Sequence, residues 1–266
     1  MDRNDQLELL RCGEVTIEGR MPWSSNATFL VDVVDGERSA QGIYKPLRGE
    51  RPLWDFEPGL HRREVAAYHL SVAMGIDLVP PTVLRDGPLG PGSVQLWIGD
   101  PYAPLADDLV VDLVPEGRTP PGWHEVLDGE TPSGSSVTVV HSGADDVRSL
   151  AVLDAALNNS DRKGSHCLRD ASGRLWAIDH GVSLSAEPKL RTVLWGWAGE
   201  PLPAVELDRL EMLSDALATS GGLERLGALL PEHDVAALIG RVHRLLRTGI
   251  HPHPSPGWPA VPWPPL

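Results

Sequence analysis

Between residues 150 and 181 the chain reads LAVLDAALNNSDRKGSHCLRDASGRLWAIDHG, and no other stretch limits its possible folds so tightly. Leu150, Val152, Leu153, Ala156 and Leu157 recur at helical spacing. The pattern stops in a polar knot, Asn158-Asn159-Ser160-Asp161-Arg162-Lys163, where short polar side chains compete with the helix for backbone hydrogen bonds. Two short apolar runs then flank the turn signature Asp170-Ala171-Ser172-Gly173, and the second run delivers Asp179 just before Gly181. The expectation is a helix, a polar loop, a hairpin and an acid at the hairpin's end.

Two carboxylates presented this way suit phosphoryl transfer, in which one acid orients the attacking hydroxyl and another holds the cations that bridge the nucleotide phosphates. Asp161 is the candidate for the first role and Asp179 for the second. Protein kinases space this loop as Asp, then Lys two residues later for the transferred phosphate, then a metal-binding Asn five later. Here Lys163 keeps the second position and His166 takes the third. The same residues are also ordinary loop chemistry, and Gly173 suits any turn that needs positive φ. On these residues alone the two readings stand level.

The formal net charge of -14 argues against a nucleic-acid backbone or an anionic membrane as partner. His61-Arg62-Arg63, the densest basic cluster, is expected to be a solvated helix face. No apolar run approaches the roughly 20 residues needed to span a bilayer, and residues 1–15 lack a signal-peptide core, so a cytoplasmic chain without a transmembrane segment is expected. Cys12 and Cys167 are too few for a disulfide framework and show no metal-ligand spacing. Only three of the 23 basic residues are lysine: Lys45, Lys163 and Lys189. An ammonium is a compact point charge that the planar guanidinium does not reproduce, and two of the three stand where a phosphate would want one.

Residues 13–45 read as strands, with a hairpin signal at Asp35-Gly36. The polar loop Arg20-Met21-Pro22-Trp23-Ser24-Ser25-Asn26 joins the first two strands; it suits phosphate binding through hydroxyls and backbone N–H groups, and equally a plain connection. Lys45 closes the third strand. A helix is expected over residues 60–74, with Glu64 in its first turn and Gly75 as its stop. Strand lysine followed by helix glutamate is the ion pair that positions a nucleotide in kinases. An extended segment through Val83 and a strand over 93–98 follow. Residues 99–146, rich in Pro, Gly and Asp, read as an irregular linker or insertion. Helices are expected over 206–218, 223–230 and 233–246, with Gly249 stopping the last. The tail HPHPSPGWPAVPWPPL cannot be helical, and Trp258 and Trp263 suggest that it docks. This order predicts an α+β chain rather than a doubly wound sheet: a β-rich lobe (1–98), the insertion (99–146), a mainly helical lobe (147–250) and a Pro/Trp-rich tail (251–266).

These residues resemble the phosphatidylinositol 3/4-kinase superfamily, most closely type II phosphatidylinositol 4-kinases and more distantly HipA-type kinases. Val152-Leu153-Asp154, Asn159-Ser160-Asp161-Arg162 and Ile178-Asp179-His180-Gly181 are similar, in order and spacing, to the lipid kinases' catalytic stretch. Gln95-Leu96-Trp97 looks like their hinge strand, and Glu64-Val65-Ala66-Ala67-Tyr68 like the helix bearing their glutamate. The likeness covers about residues 13–200, broken at 99–146. It implies a two-lobed, protein-kinase-like fold with ATP between the lobes and Mg2+ or Mn2+ as cofactor. Ser24, Ser25 and Asn26 would then face the phosphates together with Lys45, which Glu64 orients, while Gln95, Leu96, Trp97 and Ile98 line the adenine. Asp161 and Lys163 would act on the transferred group, and Asp179 and His166 on the metal.

This chain departs from the family in His166, which replaces an Asn, in Lys163, which is more like protein kinases, and in lacking a cysteine-rich lipidation segment. A soluble bacterial-type phosphotransferase acting on a hydroxyl of a small molecule, an inositol-type head group or a protein is the first expectation. A pseudokinase that binds nucleotide without turnover is the alternative, with His166 as its lesion. A hydrolytic metal centre of His166, Asp179 and His180 is a third. It is the weakest, because neighbours on an extended strand point to opposite faces. Trp195-Gly196-Trp197 is expected near the substrate's approach, though as packed aromatics.

Overall fold

A computed structural model describes residues 1–22, 24–100 and 109–266. Helix α1 (Arg3–Cys12) opens the chain, an element that the strand pattern of the first part did not suggest. Its signal is a capping box: Asp2 Oδ1 accepts the Asp5 N–H at 2.9 Å, and Asp5 Oδ2 accepts the Asp2 N–H at 3.3 Å. Leu9 and Leu10, fully buried, pack it on the inner face of a five-stranded antiparallel sheet of order β1-β2-β3-β5-β4. The strands are β1 (Glu14–Arg20), β2 (Phe29–Asp35), β3 (Arg38–Pro46), β4 (Thr82–Gly87) and β5 (Gly90–Leu96).

The strand expected over 93–98 starts and ends earlier, leaving Trp97 and Ile98 beyond β5. Its glycines, which read as loop, are there for close approach: a Cβ on Gly92 would lie 2.6 Å from Lys45 O and 2.7 Å from the Tyr44 ring. Helix α2 (Leu60–Ala73) follows β3, and Gly75 ends it at φ +65°. Glu64 lies in its second turn, not its first. The free N–H groups at the helix start go instead to Glu50, which accepts from Gly59 and His61 at 2.8 and 2.9 Å. The basic cluster is not a solvated face, since His61 and Arg63 are buried and only Arg62 is exposed. His61 Nδ1 lies 2.6 Å from Glu50 Oε1, and Arg63 donates to Asp234 Oδ2 at 2.7 Å and to Ser183 O at 2.9 Å.

The stretch 99–146 is not irregular over its described part. It holds a three-stranded antiparallel sheet, β6 (Val111–Pro115), β7 (Trp123–Glu130) and β8 (Ser136–Ser142), in the order β6-β8-β7. Edge strand β7 is largely exposed and mostly polar, so it lacks the alternation that marks a half-buried strand. Helix α3 (Asp145–Leu157), hairpin β9 (Cys167–Arg169)–β10 (Leu175–Ala177), and helices α4 (Ala204–Ala218), α5 (Ser220–Gly227) and α6 (Glu232–Thr248) complete the chain. α3 is buried along almost its whole length within the larger core, to which α2, α4 and α6 also contribute residues. The α+β order expected, a β-rich lobe followed by a mainly helical one, is the order observed. No helix among the described residues is long and apolar enough to cross a membrane.

Trp197 is core, 4 % exposed, and lies against His124, His141 and His251. His141 is wholly buried; its Nδ1 faces Ser142 O and its Nε2 accepts the Gly196 N–H, so the ring is held neutral. Burial pushes its pKa down to about 4. An unfolded histidine takes its proton near pH ~6.5, so this site's stabilisation is complete above that pH and is lost as pH falls towards 4. The expected result is a melting temperature that declines over that window, with a shallower decline in His141→Asn. Parallel curves would remove His141 as the cause.

Candidate active site

Asp161 is placed by a buried frame that joins α3 to the hairpin. Asn158, at φ +52°, ends α3 in the left-handed conformation. Asn159 then bridges back and forward: its Nδ2 donates to Asp154 Oδ1 at 2.9 Å, and its Oδ1 accepts the Asp161 N–H at 3.0 Å. Arg162 is fully buried and clamps Asp154 in a bidentate pair, Nε to Oδ2 at 2.9 Å and Nη2 to Oδ1 at 3.0 Å. Its Nη1 donates to Ile178 O at 2.8 Å and His166 O at 3.2 Å, and Nη2 donates to His180 Nε2 at 2.7 Å. One guanidinium thus fixes the loop, the helix and the hairpin end together. Asp154, Asn159 and Arg162 are the site's frame; sequence reading noticed them only as parts of a motif.

At the hairpin turn, the Asp170 carboxylate accepts the Ser172 hydroxyl, the Trp176 indole N–H and the backbone N–H groups of Ser172 and Arg174. The Ser172 hydroxyl leads these donors in lowering its pKa to about 2. Past β10 the backbone leaves the strand, and Asp179 sits at φ +60° rather than in the extended form expected of it. A non-glycine residue there is uncommon and tolerated best by Asp and Asn. His180 turns away onto Arg162, fully buried and neutral, with burial holding its pKa well below the ordinary range. With Nε2 held by Arg162 and its ring outside the lining of the cleft that Asp179 faces, it does not join Asp179 there, which argues against the hydrolytic centre. Among the described residues no group of three or more His, Cys, Asp or Glu side chains is gathered as a metal site.

Lys45 reaches from β3 to both acids. Its Nζ contacts Glu64 Oε1 and lies 2.8 Å from Asp179 Oδ1. Glu64 Oε2 also accepts the His180 N–H at 2.9 Å, so α2 holds both the lysine and the backbone beside Asp179. Burial works to lower the Lys45 pKa, but the Asp179 and Glu64 carboxylates outweigh it and hold the ammonium above its usual range. Lys45 in turn keeps Asp179 far below the carboxylate range, while burial raises Glu64. Lys163 Nζ lies 3.2 Å from Asp161 Oδ2, and His166 Nε2 lies 3.4 Å from Asp179 Oδ2.

All of this surrounds one cleft between the sheet lobe and the helical lobe, with a volume of about 540 Å³. Ser24, Ser25, Asn26, Lys45, Glu64, Gln95, Trp97, Asp161, Lys163, His166 and Asp179 line it together. Leu96 and Ile98 do not. In the loop between β1 and β2, Ser24 Oγ is 2.8 Å from Thr28 Oγ1, and Asn26 Oδ1 accepts the Arg51 N–H at 2.9 Å. Gln95 donates to Thr82 Oγ1 at 2.8 Å, which fixes its amide at the back of the cleft. Sequence reading missed Ile43, Leu60 and Ile178, which give the cleft apolar surface, and Pro264 and Leu266 from the tail. Lys189 is elsewhere: buried, it donates to Asp55 Oδ2 at 3.0 Å and lies 3.8 Å from the Phe56 ring centre.

No family model matches the chain. Among solved structures, a proinflammatory kinase of Helicobacter pylori, CtkA, aligns over 91 % of this chain and 94 % of its own, with a TM-score of 0.44 and 11 % identity. That likeness is too distant to carry an argument. Sequence similarity is much closer to Protein Rv2133c of Mycobacterium tuberculosis, at 42 % identity over 270 residues, covering 98 % of this chain and 96 % of that protein. With near-complete coverage at that identity, the chain belongs to the same family as Protein Rv2133c.

Proposed function

We propose that the chain is an ATP-dependent phosphotransferase whose acceptor is a hydroxyl group. The observation that carries this reading is Lys45, paired at once with Glu64 and Asp179 on the floor of a cleft whose facing loop presents Asp161 and Lys163. An ammonium held between two acids beside an apolar pocket is an expensive arrangement for structure alone. It suits a site that exchanges those partners for phosphates and a cation. In this reading the polar loop at Ser24, Ser25 and Asn26 and the Lys45 ammonium hold the phosphates, with Gln95 and Trp97 at the base end. Asp161 orients the acceptor hydroxyl and takes its proton as the oxygen attacks the γ-phosphorus. The bond from that phosphorus to the β-phosphate oxygen breaks, leaving ADP and a phosphomonoester, while Lys163 screens the charge on the transferring group.

The donor set fits a divalent cation. Asp179 supplies a hard carboxylate and His166 an imidazole 3.4 Å from it, and two protein ligands suffice for an ion that completes its shell with phosphates and water. Such an ion, when bound, neutralises phosphate charge. The pairing of carboxylate with imidazole favours Mn2+ over the all-oxygen shell that Mg2+ prefers. His166→Asn is expected to improve turnover with Mg2+ relative to Mn2+. ATP consumption measured with each metal checks this, and identical ratios for parent and variant would place His166 outside the shell.

Lys45→Met should lower turnover roughly 10²-fold, the scale for one charge-stabilising group, in a protein that still melts cooperatively. Lys189→Met should do the reverse, costing stability through loss of the buried ammonium paired with Asp55 while the folded protein keeps its ATP affinity. The experiment that tests the whole reading is titration calorimetry with ATP and Mg2+ or Mn2+, followed by ATP-consumption assays. A nucleotide-binding regulatory module would bind without consuming. Absence of binding with either metal would remove the reading altogether.

A further inference from the structure

The Pro/Trp-rich tail does not lie idle on the surface. Trp258 stacks on Trp54 of the loop before α2, ring centres 5.6 Å apart and planes 19° from parallel, and Lys189 Nζ lies 5.4 Å from the Trp258 ring centre. Ala260 O accepts the Thr192 N–H at 3.1 Å and the Trp195 indole N–H at 2.8 Å. Pro265 O accepts the N–H of Gly164 at 2.8 Å, inside the loop that carries Asp161 and Lys163. Pro264 and Leu266 then line the cleft on the side of that loop. A single segment therefore runs from a loop of the sheet lobe, along the helical lobe, to the residues assigned to the acceptor.

The way it is held matters as much as where it lies. Its hydrogen bonds to Thr192, Trp195 and Gly164 all use its own backbone carbonyls, which almost any peptide offers. Pro262 and Pro265 are buried while Trp263, between them, is 78 % exposed. Recognition thus rests on main-chain acceptors, two buried prolines and an aromatic stack, features shared with grooves that take proline-rich peptides.

We propose that the strip beneath residues 258–266 is a docking groove for a proline-rich peptide, filled in cis by the chain's own tail, and that filling it closes the acceptor side of the cleft. The gate part of this rests on the phosphotransferase reading; the groove does not. Release of the tail from the groove would open the acceptor side of the cleft beside Asp161.

The test uses the parent chain, a deletion of residues 258–266, and the undeleted chain carrying Trp258→Ala/Leu266→Ser, which covers the case in which the deletion does not fold. The probe is the synthetic peptide GWPAVPWPPL, residues 257–266. Tethering supplies an effective concentration on the order of millimolar, so the peptide is titrated to that level. Expected are peptide binding by the deletion variant and not by the parent, ATP consumption raised at least roughly threefold in both variants, and return towards the parent rate when peptide is added. ATP affinity, measured by calorimetry, is expected to be unchanged. A deletion variant that ignores the peptide overturns the groove. Unchanged or lower ATP consumption in both variants, with ATP still bound, overturns the gate and makes the tail a fixed wall of the site. If no protein in the set binds ATP, the phosphotransferase reading fails and the gate with it, while peptide binding still decides the groove.

Discussion

Asp179→Asn should abolish metal-dependent ATP turnover, a loss of at least roughly 10²–10³-fold, while leaving the protein folded. Asparagine is the informative replacement because Asp179 sits at φ +60°, where Asn is tolerated and alanine would add backbone strain of its own. The side chain is 46 % exposed, so its removal opens no cavity. What changes is charge. Among the described residues Lys45 then keeps Glu64 alone as a close carboxylate, and the carboxylate offered to a cation becomes an amide, a much weaker ligand. ATP affinity without metal should hold or improve, because the ammonium no longer has a second acid competing with phosphate. Affinity with Mg2+ or Mn2+ should lose its metal dependence. Calorimetry with and without metal, with a melting curve as the folding control, separates these effects. A variant whose turnover stays within a few-fold of the parent removes Asp179 from the chemistry.

The legible parts of this protein are those where neighbours in sequence are neighbours in space. Helix α3, the polar loop and the β9–β10 hairpin are contiguous, and each ends where its local chemistry says it must: Asn158 at a left-handed cap, Asp170 pinning its own turn. The Lys45–Glu64–Asp179 cluster could be anticipated only from the order of weak signals, since Asp179 stands 134 residues from Lys45. Buried cations were illegible for the same reason. Arg63 reads as surface charge until Asp234 arrives from 171 residues away, and Lys189 until Asp55 arrives from 134 away. Strand β7 escaped notice because an exposed edge strand need not alternate, and α1 because a ten-residue polar helix rests on its cap and on two leucines. The tail's composition announced docking, but which surface receives it depends on carbonyls, which no side-chain pattern encodes.

The largest stability effect expected is that of Arg162→Met. Arg162 and Asp154 both have fully buried side chains, and the guanidinium also satisfies the carbonyls of His166 and Ile178 and the ring of His180. Removing one partner of a buried pair strands the other charge, at a cost of about 3–5 kcal/mol. For a chain of this size that corresponds to a fall in melting temperature of roughly 10 °C or more. Arg38→Met provides the contrast. Its partners Glu8 and Asp35 are exposed, and solvent screening leaves such surface pairs contributing little. Only the buried pair should leave a measurable scar. The double substitution Asp154→Asn/Arg162→Met should recover part of the loss, because it removes the stranded carboxylate, yet turnover should stay low. The loop would then lack the guanidinium that joins Asp161's neighbourhood to Asp179's. Urea denaturation of the four proteins measures the first part, and ATP consumption by the double variant at a temperature where it is folded measures the second. Equal, small losses from Arg162→Met and Arg38→Met would mean that the frame under Asp161 is held by packing and not by this ion pair.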